Sequence, residues 1–166
     1  MVMINMGKYK ILIVISFLIV SLDQISKAMI VKLITPYTSK TIIPGVFNIT
    51  HIYNPGGAFG FMAGQSTFVR TILFLVVSTI AIGFIFYFYK NTPKTHPVLA
   101  SGFALIFGGA IGNMIDRIRL GTVIDFLDFY IKDLHWPAFN IADSAISVGM
   151  AIFLFHLVFK KMPLEY

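Results

Sequence analysis

Along the chain, long apolar stretches alternate with shorter segments in which polar residues, Gly and Pro collect. Four such stretches stand out, roughly Ile11 to Leu33, Thr67 to Tyr89, Val98 to Asp116 and Asn140 to Phe159. About 20 predominantly apolar residues are enough for a helix to cross the hydrocarbon core of a bilayer. The pattern therefore predicts an all-α polytopic membrane protein with four transmembrane helices, a single integral membrane domain over 1–166 with longer loops at about 34–66 and 117–139. The first stretch has a second reading as a signal peptide. No small-residue cleavage site follows Leu22, and Asp23-Gln24 come directly after it, which favours a span.

Between the first two spans the period changes. Gly45-Val-Phe-Asn-Ile-Thr-His-Ile-Tyr53 is rich in β-branched and aromatic residues, and Asn54-Pro-Gly-Gly57 then supplies a dense turn signal. A small β-sheet element lying on the membrane surface is expected there. Asn48-Ile-Thr50 matches a glycosylation sequon, but the pattern is short enough to arise by chance and nothing else supports it. There is no internal repeat, low-complexity run or linker, and the halves show no inverted duplication of the kind many transporters carry.

Composition supports the membrane reading. Of the 166 residues 57% are hydrophobic and 12% charged, whereas soluble domains carry about 25% charged residues. Disordered, coiled-coil and nucleic-acid-binding classes are excluded: the net charge of +6 comes from basic residues scattered singly or in pairs, with no patch to hold phosphates. Their distribution instead orients the chain. Residues 1–10, 90–97 and 160–166 hold Lys8, Lys10, Lys90, Lys94, Lys160 and Lys161, six in 25 positions, whereas the two long loops hold Lys40, Arg117, Arg119 and Lys132, four in 56. By the positive-inside rule both termini are expected in the cytoplasm and both long loops outside. With no cysteine in the chain, disulfides, thiolate metal sites and thiol nucleophiles drop out.

The seven acids are the most informative residues. Five of them, Asp116, Asp125, Asp128, Asp133 and Asp143, fall within 28 residues, with Asp23 in the first span and Glu165 at the tail. An acid at membrane depth is costly and points to function, yet each has a plainer reading. Asp143 stands three residues after Asn140 and can close a capping box. Asp116, taken to end the third helix, can pair with its neighbour Arg117. Asp23 and Lys27, four apart, can pair on one helix face, and Asp128 and Asp133 read as solvated loop charges. Asp125 differs, because it lies in the apolar run Val123-Ile-Asp-Phe-Leu127 without a basic residue within five positions, where desolvation would raise its pKa.

Asp125 and Asp143 can serve as partners for each other. Two close carboxylates share one proton, so one acts as base on a water while the other donates to a substrate carbonyl. Such an aspartyl hydrolase needs no metal and no cofactor. Neither the histidines at 51, 96, 135 and 156 nor the serines form a ligand set or a Gly-x-Ser-x-Gly elbow.

In order and in span context, Asp23-Gln-Ile-Ser-Lys27, Asn54-Pro-Gly-Gly-Ala-Phe-Gly60, Gly108-Gly-Ala-Ile-Gly-Asn-Met-Ile-Asp-Arg117, Gly121-Thr-Val-Ile-Asp-Phe126 and Phe139-Asn-Ile-Ala-Asp-Ser144 resemble the boxes of the bacterial lipoprotein signal peptidases (signal peptidase II), over residues 23 to about 149. The resemblance implies an aspartyl endopeptidase of the bacterial cytoplasmic (inner) membrane. Such an enzyme removes the signal peptide from diacylglyceryl-modified prolipoproteins, near the outer face. It implies Asp125 and Asp143 as the catalytic pair, and Asp23, Asn54, Gly56, Asn113, Asp116, Arg117 and Asn140 as residues that hold the pair, the substrate backbone or the lipidated segment. The implied partners are the lipid-modified prolipoproteins and membrane lipid; no nucleic acid and no obligate protein partner is implied. Glycines at 56, 57, 108, 109 and 112 allow close approach, with helix packing the simpler reading for Gly108 and Gly109.

Two other classes compete. A small proton-coupled transporter would use Asp23, Asp116 and Asp143 as a relay, which calls for carboxylates at successive depths, whereas these gather at one face. A non-catalytic assembly factor would use the same acids as caps and interface pairs.

Overall fold

The computed structural model describes residues 6–56 and 66–160. Gly57 with the Ala58-Phe59-Gly60 that follow it, and Lys161 and Glu165 at the tail, lie outside the described residues. The elements in chain order are α1 (Met6–Leu33), β1 (Ser39–Ile43), β2 (Phe47–Asn54), α2 (Thr67–Lys90), α3 (Pro97–Leu120), β3 (Val123–Ile131), β4 (Leu134–His135) and α4 (Ile141–Phe155), the last continued by a π-helical turn at His156–Lys160. Tyr9–Leu33, Phe68–Lys90, Pro97–Leu120 and Ile141–Phe159 are long and apolar enough to cross a membrane.

Helix α3 is the hub, packed against α1, α2 and α4. Small residues make this possible. A Cβ on Gly108 would meet Ser16 Cα of α1 at 2.9 Å, and one on Gly109 would run into the Ala142 carbonyl oxygen of α4, so both glycines are packing positions. Leu12, Tyr89, Leu99, Phe103, Ala104 and Ile106 form a core at the end of the bundle away from the sheet. Elsewhere the bundle turns large apolar side chains outward, among them Phe17, Phe68, Phe84 and Val158. That surface suits hydrocarbon rather than water.

At the other end, the strands form one antiparallel sheet in the order β1-β2-β3-β4. It draws on both long loops, not only on the first as the sequence pattern suggested. Ile52 pairs with Asp125 and Asn54 with Val123, after a bulge between Ile49 and Ile52. The bulge adds a residue to β2 and lets His51 turn back under α1, where its Nδ1 lies 2.8 Å from the Ile34 carbonyl oxygen. On β3, Ile124 and Phe126 pack with Ile30 of α1, while the alternate residues Val123 and Asp125 face the other way.

Helix α3 does not end at Asp116. It runs to Leu120 and stops at Gly121, which adopts φ 71° and donates its N–H to the Arg117 carbonyl. This is a left-handed cap that glycine adopts without strain. Asp116 is therefore interior to the helix, and Arg117 and Arg119 belong to its last turn. Helix α4 starts where expected, with Asn140 as N-cap and both bonds of the Asn140–Asp143 capping box present.

Candidate active site

The acids of α1, α3, β3 and α4 meet where the bundle joins the sheet, and Lys27 holds them together. Its side chain is 2% exposed. Nζ donates to Asp23 Oδ2 and Asp116 Oδ2 at 2.8 Å each and to Asn113 Oδ1 at 3.0 Å, which uses all three ammonium hydrogens. Gln24 fills the gap, its Nε2 3.0 Å from Asp116 Oδ1 and 3.2 Å from the Gly112 carbonyl oxygen. Each partner of Lys27 then reaches toward one carboxylate of the pair. Asp23 Oδ1 accepts the Ala142 N–H at 3.0 Å in the first turn of α4, and Asp116 Oδ2 accepts the Ile124 N–H at 3.2 Å, one residue before Asp125. Asn113, its oxygen fixed by Lys27, donates through Nδ2 to Asp143 Oδ1 at 2.7 Å.

Asp125 is 2% exposed and accepts two amide donors, Asn54 Nδ2 at 2.8 Å on Oδ2 and Asn140 Nδ2 at 2.7 Å on Oδ1. Neither amide is free to turn over. Asn54 Oδ1 accepts the Gly56 N–H at 3.0 Å, and Asn140 Oδ1 accepts the Asp143 N–H at 2.9 Å. Burial raises the Asp125 carboxyl to a pKa of about 7, reinforced by the nearby Asp143 charge and opposed by the two amide donors and by Lys27. The partner absent from its own sequence neighbourhood is thus supplied by side chains of β2 and α4.

Both carboxylates line one cavity of about 590 Å³, together with Asn54, Gly56, Asn113 and Arg117. Trp136, Pro137, Ala138 and Phe139 form one wall, and Ile146 and Val148 of α4 continue the lining beyond Asp143. An apolar cavity with two carboxylates on its lining has the make-up of a site for a largely apolar ligand.

Two pairings differ from the sequence expectation. Asp116 pairs with Lys27 rather than with Arg117, because adjacent residues on a helix point about 100° apart. Arg117 instead lies 5.0 Å over the Phe74 ring and lines the cavity. Asp128 is not solvated: it is 7% exposed and binds His135 and Asn48. Asp133 is exposed, as expected. The Asp23–Lys27 pair and the packing role of Gly108 and Gly109 are observed. Gln24, the wider role of Lys27 and the Trp136–Phe139 wall were not singled out from sequence; the Asp23-to-Lys27 box held the signal for the first two.

Fold and site together define a class, a polytopic membrane protein whose buried acids converge on one cavity under a small sheet. Known proteins of this kind resemble the chain closely. Residues 15–159 match the family model described as signal peptidase (SPase) II. A lipoprotein signal peptidase of Desulforapulum autotrophicum is 51% identical over 152 residues, covering 92% of this chain and 94% of that protein. One of Geobacter sulfurreducens is 48% identical over 131 residues, covering 79% and 81%. A solved structure described as a bacterial membrane enzyme superposes with a TM-score of 0.78 at 31% identity over 89% of this chain and 92% of its own. A second reaches 0.80 at 30% identity over 93% of each. The chain belongs to the signal peptidase II family.

Proposed function

We propose that the protein is an aspartyl endopeptidase that cleaves the signal peptide from diacylglyceryl-modified prolipoproteins, with Asp125 and Asp143 as the catalytic pair. The observation that carries the reading is Asn140, which donates to Asp125 through its side chain and accepts the Asp143 N–H, so two carboxylates from different elements are set beside one cavity. Asp125, its pKa near 7, keeps the shared proton and passes it to the scissile carbonyl oxygen. Asp143 takes a proton from the attacking water. The C–N bond of the tetrahedral intermediate then breaks as Asp143 gives its proton to the leaving amine and Asp125 takes back the proton of the former carbonyl oxygen, which restores the pair. Asn54 and Arg117 bind the substrate backbone, and Asp23, Asp116, Asn113 and Asn140 hold the pair. Gly56 leaves room for the peptide beside Asn54.

The whole chain is read as one integral membrane domain with both termini in the cytoplasm. The cavity then faces the outer side, where the lipidated segment enters laterally from the bilayer. The transporter alternative gains nothing from the geometry, since Asp23, Asp116, Asp125 and Asp143 are gathered at one end of the bundle.

The test is a gel-shift cleavage assay with the purified protein in lipid, comparing a diacylglyceryl-modified prolipoprotein with its unmodified precursor, and wild type with Asp143→Asn. Cleavage of the lipidated precursor alone, and by wild type alone, is expected. Equal turnover by Asp143→Asn would remove that residue from the pair.

A further inference from the structure

The β3–β4 hairpin ends beside the cavity, and its ladder is short. Strand β4 has two residues, paired as Tyr130↔His135 and Ile131↔Leu134, and a two-stranded ribbon this short is not stable alone. Its tip turns through Lys132 at φ 54°, a left-handed conformation without the ease of glycine. Ile131 and Leu134 are 72% and 80% exposed, so the tip gains little from burial. One side-chain contact adds to the backbone bonds that tie the returning segment to β3: His135 Nδ1 lies 2.8 Å from Asp128 Oδ1. A carboxylate only accepts, so Nδ1–H is the donor. Asp128 is itself anchored through Oδ2 by Asn48 Nδ2 of β2 at 2.9 Å, and the imidazole stacks on Tyr130 at 4.9 Å. The next residue is Trp136, whose N–H donates to the Phe129 carbonyl and which is part of the cavity lining.

We infer that His135 is a positioning residue for substrate binding: tethered to the buried Asp128, it holds Trp136 as the apolar wall against which the substrate's apolar segment packs. This charge-assisted bond, from a half-exposed imidazole to a buried carboxylate, supplements the Trp136 N–H bond to Phe129 and the Phe139 bonds to Leu127, and it is the side-chain restraint nearest to Trp136. His135 touches neither carboxylate of the catalytic pair, and it acts on binding rather than on bond cleavage. The kinetic part of this inference rests on the peptidase reading; the structural part does not.

Trp136 is the single tryptophan of the chain, so intrinsic fluorescence reports on this wall alone. The experiment uses the full chain in lipid vesicles, which add no tryptophan, and measures Trp136 anisotropy without substrate, and kcat and KM on a lipid-modified prolipoprotein, for wild type, His135→Ala, His135→Phe and His135→Asn. The phenyl ring keeps the stacking on Tyr130 without the donor, and the Asn amide restores a donor near the Nδ1 position. His135→Ala and His135→Phe are expected to raise KM roughly three- to tenfold, the range set by the net loss of one ordinary, half-exposed hydrogen bond, with kcat close to wild type and anisotropy lowered. His135→Asn is expected to recover both. Wild-type KM and anisotropy in His135→Phe, or a fall in kcat with KM unchanged, would overturn the inference. A wild type that cleaves nothing would defeat the peptidase reading, while the anisotropy series would still decide whether His135 holds Trp136.

Discussion

The side-chain amide of Asn140 donates to Asp125 Oδ1 at 2.7 Å while its oxygen accepts the Asp143 N–H at 2.9 Å. A single N-cap residue therefore starts α4 and also joins the carboxylates of a strand and a helix. Its amide cannot flip without losing both bonds, so the helix cap fixes which atom faces Asp125. Asn140→Ala removes the cap, worth about 0.5–2 kcal/mol, and a bond to a buried carboxyl, worth about 1.5–3 kcal/mol. Thermal unfolding in detergent should show a clear loss of stability, accompanied by loss of cleavage; an unchanged melting temperature would mean that neither bond matters.

The raised pKa of Asp125 makes both activity and stability depend on pH. The shared proton leaves as pH passes about 7, so cleavage should fall on the alkaline side with a midpoint near that value. For stability, the folded protein holds this proton between about 4 and 7 whereas the unfolded chain, with an ordinary carboxyl near 3.8, releases it. The contribution of Asp125 is therefore most favourable below about 4 and is lost as pH rises to 7. Asp125→Asn cannot ionise. Its melting temperature relative to wild type should climb between pH 5 and pH 8, and a difference that stays flat over that range would show that Asp125 has an ordinary pKa.

Lys27 is buried with three acceptors on Nζ, so its replacement leaves two carboxylates without a counter-charge. Lys27→Met should cost about 3–5 kcal/mol of stability, the range for breaking a buried ion pair. Lys27→Arg should not rescue it, since a planar guanidinium cannot reproduce three bonds from one nitrogen. Lys132→Ala at the exposed hairpin tip serves as a control and should stay within about 0.5 kcal/mol. Equal melting temperatures for Lys27→Met and wild type would contradict the network.

Gly109 and Gly83 offer a matched pair in two helices. A methyl at Gly109 would strike the Ala142 carbonyl oxygen and lie 2.8 Å from Ile146 Cγ1, while one at Gly83 meets nothing within 4 Å. Gly109→Ala should cost about 1–3 kcal/mol by overpacking, and it should lower activity because Ala142 is in the turn that carries Asp143. Gly83→Ala should be neutral or slightly stabilising, Ala being the better helix former. Comparable unfolding and turnover for the two variants would mean that α3 and α4 are not in close contact at Gly109.

Much of the site was legible because its signals are local. Asn140 and Asp143 are three residues apart, the spacing that the first turn of a helix imposes on a capping box. Asp125 announced itself by ionisable chemistry in an apolar run, since a carboxyl there must find partners or stay protonated. What misled was local too. Asp116 next to Arg117 looks like a pair on paper, but neighbours in a helix diverge, and the true partner Lys27 sits on another helix. Gly121, shortly after Arg117 and Arg119, is a readable stop signal for α3, although the apolar run itself thins out earlier, near Asp116.

By itself the sequence determined four apolar helices and the two acids most in need of partners, because bilayer thickness and the cost of a buried charge act residue by residue. Only the tertiary structure decided which donors those acids receive. The amides of Asn54 and Asn140 on Asp125, the Lys27 hub and the Asp128–His135 tether each join segments far apart in the chain or folded across a strand pair. Hydrogen bonds need partners within about 3 Å and properly directed, a condition that no spacing along a sequence can state and that only the packing of α1, α3 and α4 beneath the sheet supplies.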